Sequence, residues 1–273
     1  MDRIAVRPLQ STTDYEGCVK IQRRVWQHAD LDITPVHQFC VSVQTGAILL
    51  GAFVGKVLAG YVYSFPAVFN GTSCQHSHHL AVLAEYQGYG LGKKLKWAQW
   101  GEALRRGYRL LTWTFDPLLA RNANLNFRAL GAVGRTYLDN FYGCTPALAQ
   151  DSDVPTDRLL LEWWISSPRV ERRMKGEEKM PDPTRIAKAL AQKPGGIYPV
   201  IVPGRPNLTA EDMRLLVEVP KNIRDLRPVS GLVGRWQKAV RTTLKACFAR
   251  GYRLDDFIFA DRSFYVLKKG KIG

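Results

Sequence analysis

Leu80-Ala-Val-Leu-Ala-Glu-Tyr-Gln-Gly-Tyr-Gly-Leu-Gly-Lys-Lys-Leu-Lys96 (LAVLAEYQGYGLGKKLK) decides the fold. It opens on a β-prone run, passes through a glycine-rich turn and continues in helix-forming residues. Within it, Gln87-x-x-Gly90-x-Gly92 joins the strand to the helix. Glycines at such a junction adopt positive φ and let the backbone approach a ligand closely. The free N–H groups at the helix start, with the helix dipole, make an anion site. Lys93 and Lys94 add positive charge to its mouth. A dinucleotide fingerprint would read GxGxxG with an acid about twenty residues on, and this spacing differs.

Working outward, the first half alternates strand and helix. Ile4–Leu9 reads as a strand, and Thr13–His28 as a helix with Tyr15, Cys18, Ile21 and Val25 on one face. Ala47–Phe53 and Val57–Phe65 read as strands joined at Gly55-Lys56, and Ser77–Leu83 as the strand entering the glycine turn. The helix after the turn runs from about Gly90 to Arg106 and stops at Gly107. Leu110–Phe115 is the next strand; a loop and short helix reach Gly131, and strands follow near Val133–Tyr142 and Leu159–Ile165. Ser166–Gly196 is charged and proline-bearing, with one helical run at Thr184–Gln192, and reads as a linker or crossover. Beyond it come strands Tyr198–Val202 and Leu215–Val219, a helix from about Leu232 to Ala249, and strands Asp256–Phe259 and Ser263–Leu267. Trp236, Val240, Leu244, Cys247 and Phe248 form that helix's apolar stripe.

RGYRL occurs twice, at 106–110 and 250–254, each time at a helix end before a strand that finishes in Phe. Gly90 and Gly234 each stand seventeen positions before the glycine of that pentapeptide. The match predicts a decayed internal duplication. The expected organisation is a domain over 1–167, a linker over 168–196, and a smaller α/β region over 197–273 that echoes part of the first.

The chain has 273 residues and a net charge of +15. No stretch reads as a transmembrane helix, and MDRIAVRPLQ lacks a signal-peptide pattern. Cys18, Cys40, Cys74, Cys144 and Cys247 are scattered without CxxC spacing, which suits reduced thiols in a cytoplasm. The charge suits a solvated surface, a phosphorylated small molecule or nucleic acid; binding that falls steeply with salt would mark the last.

The strand LAV, Gln87-x-x-Gly90-x-Gly92, and a downstream strand, Asn and short helix ending Leu130-Gly131 together resemble the GNAT superfamily of coenzyme A-dependent N-acyltransferases. The resemblance covers roughly residues 1–167. It implies a mixed, mostly antiparallel central sheet flanked by helices. It also implies an acyl-coenzyme A co-substrate, acetyl or succinyl, and a primary amine as acceptor. By it, the backbone of Leu80, Ala81 and Val82 would pair with the pantetheine arm where two parallel strands splay. Gly88, Tyr89, Gly90, Leu91, Gly92 and Lys93 would wrap the pyrophosphate, with Asn122, or alternatively Asn126, on the cofactor. Where the family often has a tyrosine as acid toward the departing thiolate, this chain has Phe127. Tyr137 and Tyr142 are the nearest substitutes.

A general base must take a proton from the acceptor ammonium. His78 and His79 qualify through their ordinary pKa, and Asp116 through its place at a strand's carboxyl end. Asp116-Pro117 equally suits a turn. No metal is expected, because neighbouring strand residues point to opposite faces. Trp113, Arg135 and Tyr137 are candidates for the acceptor pocket, Arg135 for a carboxylate; core packing is the other reading of Trp113. The length suits relatives that act on amino acids, and a homodimer is compatible with this reading. A non-catalytic acyl-coenzyme A sensor is the rival that Phe127 suggests.

Overall fold

The computed structural model describes residues 3–27, 30–143, 154–194, 201–207 and 212–270. Its contacts group into two compact units, Met1–Trp113 with Trp164–Ser167, and Thr114–Trp163 with Pro168–Gly273. The division falls inside a strand, after Trp113.

In the first unit, β1 (Ile4–Pro8), β2 (Ile48–Val54), β3 (Val57–Phe69), β4 (Thr72–Val82) and β5 (Leu110–Phe115) lie in that spatial order. The first four are antiparallel and β5 is parallel to β4. Helices α1 (Thr12–Trp26), α2 (Val36–Gln44) and α3 (Leu91–Arg105) complete it. Ser11 and Asp14 close a capping box that sets the start of α1. Tyr15, Cys18 and Ile21 of α1 and Phe39 of α2 pack with Tyr61, Tyr63, Ala81 and Leu83 of the sheet. That face is a continuous apolar layer.

Two features here escape the sequence reading. Helix α2 is short and carries no side-chain cap at Pro35. The strands on either side of Asn70-Gly71 reach well beyond the expected ends, because that dipeptide makes a tight hairpin with φ of 48° and 76°. Asn-Gly is the strongest short hairpin signal, since both residues tolerate positive φ.

The second unit takes up α4 (Ala120–Ala123), β6 (Val133–Leu138), β7 (Arg158–Trp164), α5 (Pro168–Lys175), β8 (Ala187–Leu190), β9 (Gln192–Pro194), β10 (Ile201–Pro203), β11 (Arg214–Val219), α6 (Leu232–Ala249), β12 (Tyr252–Phe259) and β13 (Ser263–Lys269). Its sheet runs β7–β6–β12–β13–β11–β8, and β9 pairs with β10 apart from it. The helical run expected at Thr184–Gln192 is instead a 3₁₀ turn followed by β8, which pairs in parallel with β11. Asp182 caps Thr184 N at the start of that turn, which runs for three residues before the chain joins the sheet edge. The strand expected at Tyr198–Val202 appears as β10; Tyr198 and Cys144 lie outside the described residues.

A strand–helix–strand order occurs in both units. Helix α3 starts after Gly90 (φ 76°) and ends before Gly107 (φ 82°); α6 starts after Gly231 (φ 69°) and ends before Gly251 (φ 81°). The counterpart of Gly90 is therefore Gly231, not Gly234, which lies within α6, a helix of 18 residues against 15. The topologies differ at one place. In the first unit β4 and β5 are neighbours, whereas β13 lies between β11 and β12, bonded along its length to both.

Helix α6 is anchored by Trp236, Val240 and Leu244, each fully buried. Replacing Trp236 with Ala should cost about 3–5 kcal/mol, the range for a truncated core aromatic. The measurement is the urea midpoint of the second unit; an unchanged midpoint would contradict the packing described.

Candidate active site

Strands β4 and β5 pair through only two steps, Gln75↔Leu111 and His76↔Thr112. Beyond them, at Ser77 and Trp113, the recorded pairing stops. The backbone of β4 from Ser77 to Val82 still bonds to β3 on its other side. Its β5 side is thus a row of peptide groups at which an extended ligand could bond.

The same strand carries a bulge. Tyr63 pairs with His79 while Ser64 pairs with Ser77, so His78 is an inserted residue with no partner. An extra residue cancels the alternation of side chains. His78 and His79 therefore share a face, their rings stacked with centroids 4.3 Å apart. The expectation that neighbours point to opposite faces fails here for this reason. Among the described residues no group of three or more metal-ligating side chains forms.

The two histidines differ in environment. His79 is buried, and its Nδ1 lies 3.0 Å from the Tyr61 hydroxyl amid the rings of Trp26, Tyr61 and Tyr63. His78 is exposed at its edge yet crowded by Tyr63 and Phe65, and desolvation pushes its pKa below the usual 6.5. His76, hydrogen-bonded to Thr112 at 3.0 Å, is pushed down to about 4, by desolvation first and then by His78 and Lys96. His78 lines an open pocket of about 530 Å³ with Thr34, Gln38, Ser42, Tyr63 and Phe65 among its walls. These walls carry hydroxyls, an amide and aromatic rings.

At the other end of β4, Gly88 and Gly90 both take left-handed φ, 86° and 76°. A Cβ built on either meets nothing within 4 Å, so the space above the turn is open. Gln87 donates from Nε2 to the Val82 carbonyl at 3.0 Å, tying the turn back to β4. Sequence reasoning quotes this glutamine without a task; its task is to hold the loop. Leu91 is buried as the anchor of the first helical turn, while Tyr89, Lys93 and Lys94 face solvent. By helix geometry the first amides of α3 have no intrahelical acceptor. Open space, glycine backbone and amide donors fit a pyrophosphate.

The sequence misses a third group altogether. Lys96 of α3 is 2% exposed, and its Nζ donates to Ser77 Oγ at 3.0 Å and Gln99 Oε1 at 2.7 Å. The same nitrogen lies 3.9 Å from the centre of the Trp113 ring. Ser77 faces α3, where Gln99 accepts from it, so this cluster occupies the side of β4 opposite His78. Helical spacing places Lys96 one turn from Gly92, and a lysine there reads as surface until the helix orientation is known.

The remaining candidates belong to the second unit. Asp116 accepts from the Leu118 amide at 2.8 Å, the turn arrangement, and burial raises its pKa. Asn122 is exposed and Asn126 buried, the latter in a π-helical segment, Asn124–Ala129, that follows α4. Phe127 packs among Phe115 and Tyr265 with no exposure. Arg135 pairs with Glu162 at 2.9 Å. The Tyr137 hydroxyl donates to Asp157 at 2.7 Å, and Arg241 clamps the same carboxylate. Burial first, and then Asp157, holds the Tyr137 phenol well above its usual pKa. Tyr142 meets Thr114 at 3.1 Å.

No protein-family model matches the sequence, and no curated protein does. Among solved structures, yncA of Salmonella typhimurium, solved with its cofactor acetyl-CoA, superposes with a TM-score of 0.50 at 16% identity, over 67% of this chain and 99% of its own. The ribosomal-protein-S18-alanine N-acetyltransferase of Escherichia coli gives 0.49 at 20% identity, over 60% and 96%. An acetyltransferase of the GNAT family from Streptococcus pneumoniae gives 0.48 at 17%, over 59% and 98%. Over its matched part, this chain, with its mostly antiparallel sheet flanked by helices, has a GNAT-like fold.

Proposed function

We propose that the protein is an acyl-coenzyme A-dependent N-acyltransferase acting on a primary amine. The observation that carries this is the open parting of β4 from β5, which leads at one end to the glycine turn before α3. The pyrophosphate would sit on the amides following Gly88 and Gly90, and the pantetheine arm along Leu80–Val82. The thioester would then reach the strand near the His78 bulge, beside the pocket that His78 lines.

In that setting His78 is the base. It is the histidine that reaches the pocket, whereas His79 is committed to Tyr61. Neutral imidazole accepts a proton from the acceptor ammonium; the freed amine attacks the thioester carbonyl, and the carbon–sulfur bond breaks. Among the described residues, the pocket walls hold no fixed charge. A free amino acid would find no counter-charge there for its carboxylate, so the better fit is an amine on a polar, uncharged body. Acetyl is the acyl group we favour, with succinyl as the comparison.

Three outcomes test this. Gly90→Val puts a branched side chain into the open space above the turn and forces an unfavourable φ worth about 1–2 kcal/mol. Calorimetry should show coenzyme A binding abolished in a variant that keeps its helix content; unchanged affinity would defeat the cofactor assignment. The wild-type chain should bind one coenzyme A, because β13 fills the equivalent gap in the second unit; two per chain would contradict this.

His78→Ala should lose on the order of a hundredfold in turnover with coenzyme A affinity retained. The sign of its pH dependence follows from the lowered pKa. Protonated imidazole cannot act as base, so turnover should rise with pH through a midpoint below 6.5 and be level by neutrality, apart from titration of the acceptor. Thiol release from acetyl- and succinyl-coenzyme A against an amine panel measures this. A midpoint above 6.5, or full turnover in the variant, would remove His78 from the role.

A further inference from the structure

Building on that reading of the cofactor site, we propose that Lys96 is the acid that protonates the departing thiolate. Its place is where the strands part. Pairing of β4 with β5 ends at His76↔Thr112, the next positions are Ser77 and Trp113, and the Lys96 ammonium rests on both. A pantetheine arm laid along β4 from Val82 ends at that apex, with the acceptor pocket on the opposite face. The acceptor nitrogen approaches, and the sulfur leaves, the same carbonyl carbon from different directions. An acid on the α3 face and a base on the pocket face serve the two without competing.

A second observation at the same place points to a ligand. Gln99 accepts from both Lys96 and Ser77 through Oε1, and its Nε2 is buried with no hydrogen-bond partner. A buried amide left unpaired costs about 1–3 kcal/mol. A polar group of the thioester arm entering the gap would satisfy it. The familiar tyrosine is absent, because Phe127 stands in its place; Tyr137 is committed to Asp157, and Tyr142 is hydrogen-bonded to Thr114. The acid's task is therefore open.

The step balances. The acceptor nitrogen bonds to the carbonyl carbon and gives up one N–H proton through His78 to solvent, the carbon–sulfur bond breaks, and its electron pair goes to sulfur. One N–H bond of the Lys96 ammonium breaks as S–H forms, leaving free thiol and neutral amine, which recovers a proton from solvent. Burial favours the neutral amine, and it lowers the lysine pKa well below 10.5. The proton is thus released more readily than from a solvated lysine. The titratable group of β4 that is coupled to Lys96 is His76, across the strand on the opposite face, and it couples in turn to His78; Gln99 and Trp113 carry no titrating proton.

The test compares wild type with Lys96→Met and Lys96→Arg. Methionine keeps the chain's bulk without a proton, and arginine keeps the charge without releasing one. Both should bind coenzyme A within a few-fold of wild type by calorimetry. Both should lose on the order of a hundredfold or more in turnover with acetyl-coenzyme A. Across roughly pH 6 to 10, with acceptor saturating as free base, wild-type turnover should fall on the alkaline side as Lys96 loses its proton, and the variants should lack that fall. Near-normal turnover in Lys96→Met, or an alkaline fall that persists in it, overturns the proposal. A second measurement needs no variant: with the selenoester analogue of acetyl-coenzyme A, whose selenolate is a much weaker base, the wild-type alkaline fall should vanish. An equal fall with both esters overturns it. A wild-type chain that takes up no coenzyme A overturns both this assignment and the reading of the site beneath it.

Discussion

A single extra residue in β4 organises the first unit's site. Inserting His78 between the partners of Tyr63 and Ser64 changes which face every later side chain takes. Upstream, His76 is on one side and Ser77 on the other; downstream, His79, Ala81 and Leu83 join the layer of α1 and α2. A bulge also strengthens local twist. The parallel pairing with β5 ends at its approach, between His76 and His78. Parted strands, a stacked pair of histidines and a pocket on one face are consequences of one irregularity. Removing it would return the strand to regular alternation, with one of the two rings on the α3 side.

The second unit shows what the same chain pattern does without that opening. Strand β11, a 3₁₀ turn, a left-handed glycine, helix α6, another left-handed glycine and strand β12 repeat the order found from β4 to β5. Yet β13 lies between the two parallel strands and bonds to both from Ser263 to Lys268. Where pairing between the parallel strands stops after two steps in one unit, a strand fills the place in the other. Ligand and strand are alternative solutions to one requirement, that backbone polar groups inside a sheet be paired. Pro220 and Pro228, before α6, further remove amide donors from the turn that would have cradled an anion.

How legible this was depended on how local the cause was. The Gln87–Gly92 turn, the helix stops at Gly107 and Gly251 and the apolar stripe of α6 are encoded within a few residues, and the structure places them where the pattern said. The hairpin at Asn70-Gly71 was equally legible and lay unread between two apolar runs. The bulge was not, because nothing in SHHL distinguishes an inserted histidine from an alternating one; the register depends on β3. Arg135 and Tyr137 were chosen for reach along a strand, but their charges and hydroxyls are already met by Glu162 and Asp157 from distant sequence. Likewise β8 took the place of a helix because a sheet edge at β11 was waiting, a tertiary effect that local propensity does not record.

Lys96 is the clearest case of chemistry that only packing reveals. A lysine at 2% exposure, resting on a serine, a glutamine and an indole face, is a poor choice for stability. Removing a charge from water costs several kcal/mol, by order of magnitude, unless its partners compensate. A leucine or methionine on that helical turn would bury apolar surface without the desolvation cost. The surrounding polar atoms compound the expense, since Gln99 Nε2 is left without a partner. Here the buried lysine and the unpaired amide stand side by side, where β4 leaves β5. Strain and desolvation concentrate where a ligand is meant to complete the hydrogen bonding. The buried lysine is therefore best understood with the gap beside it: Gln99 Nε2 is unpaired in the free chain, and in the proposed complex the thioester arm would pair it.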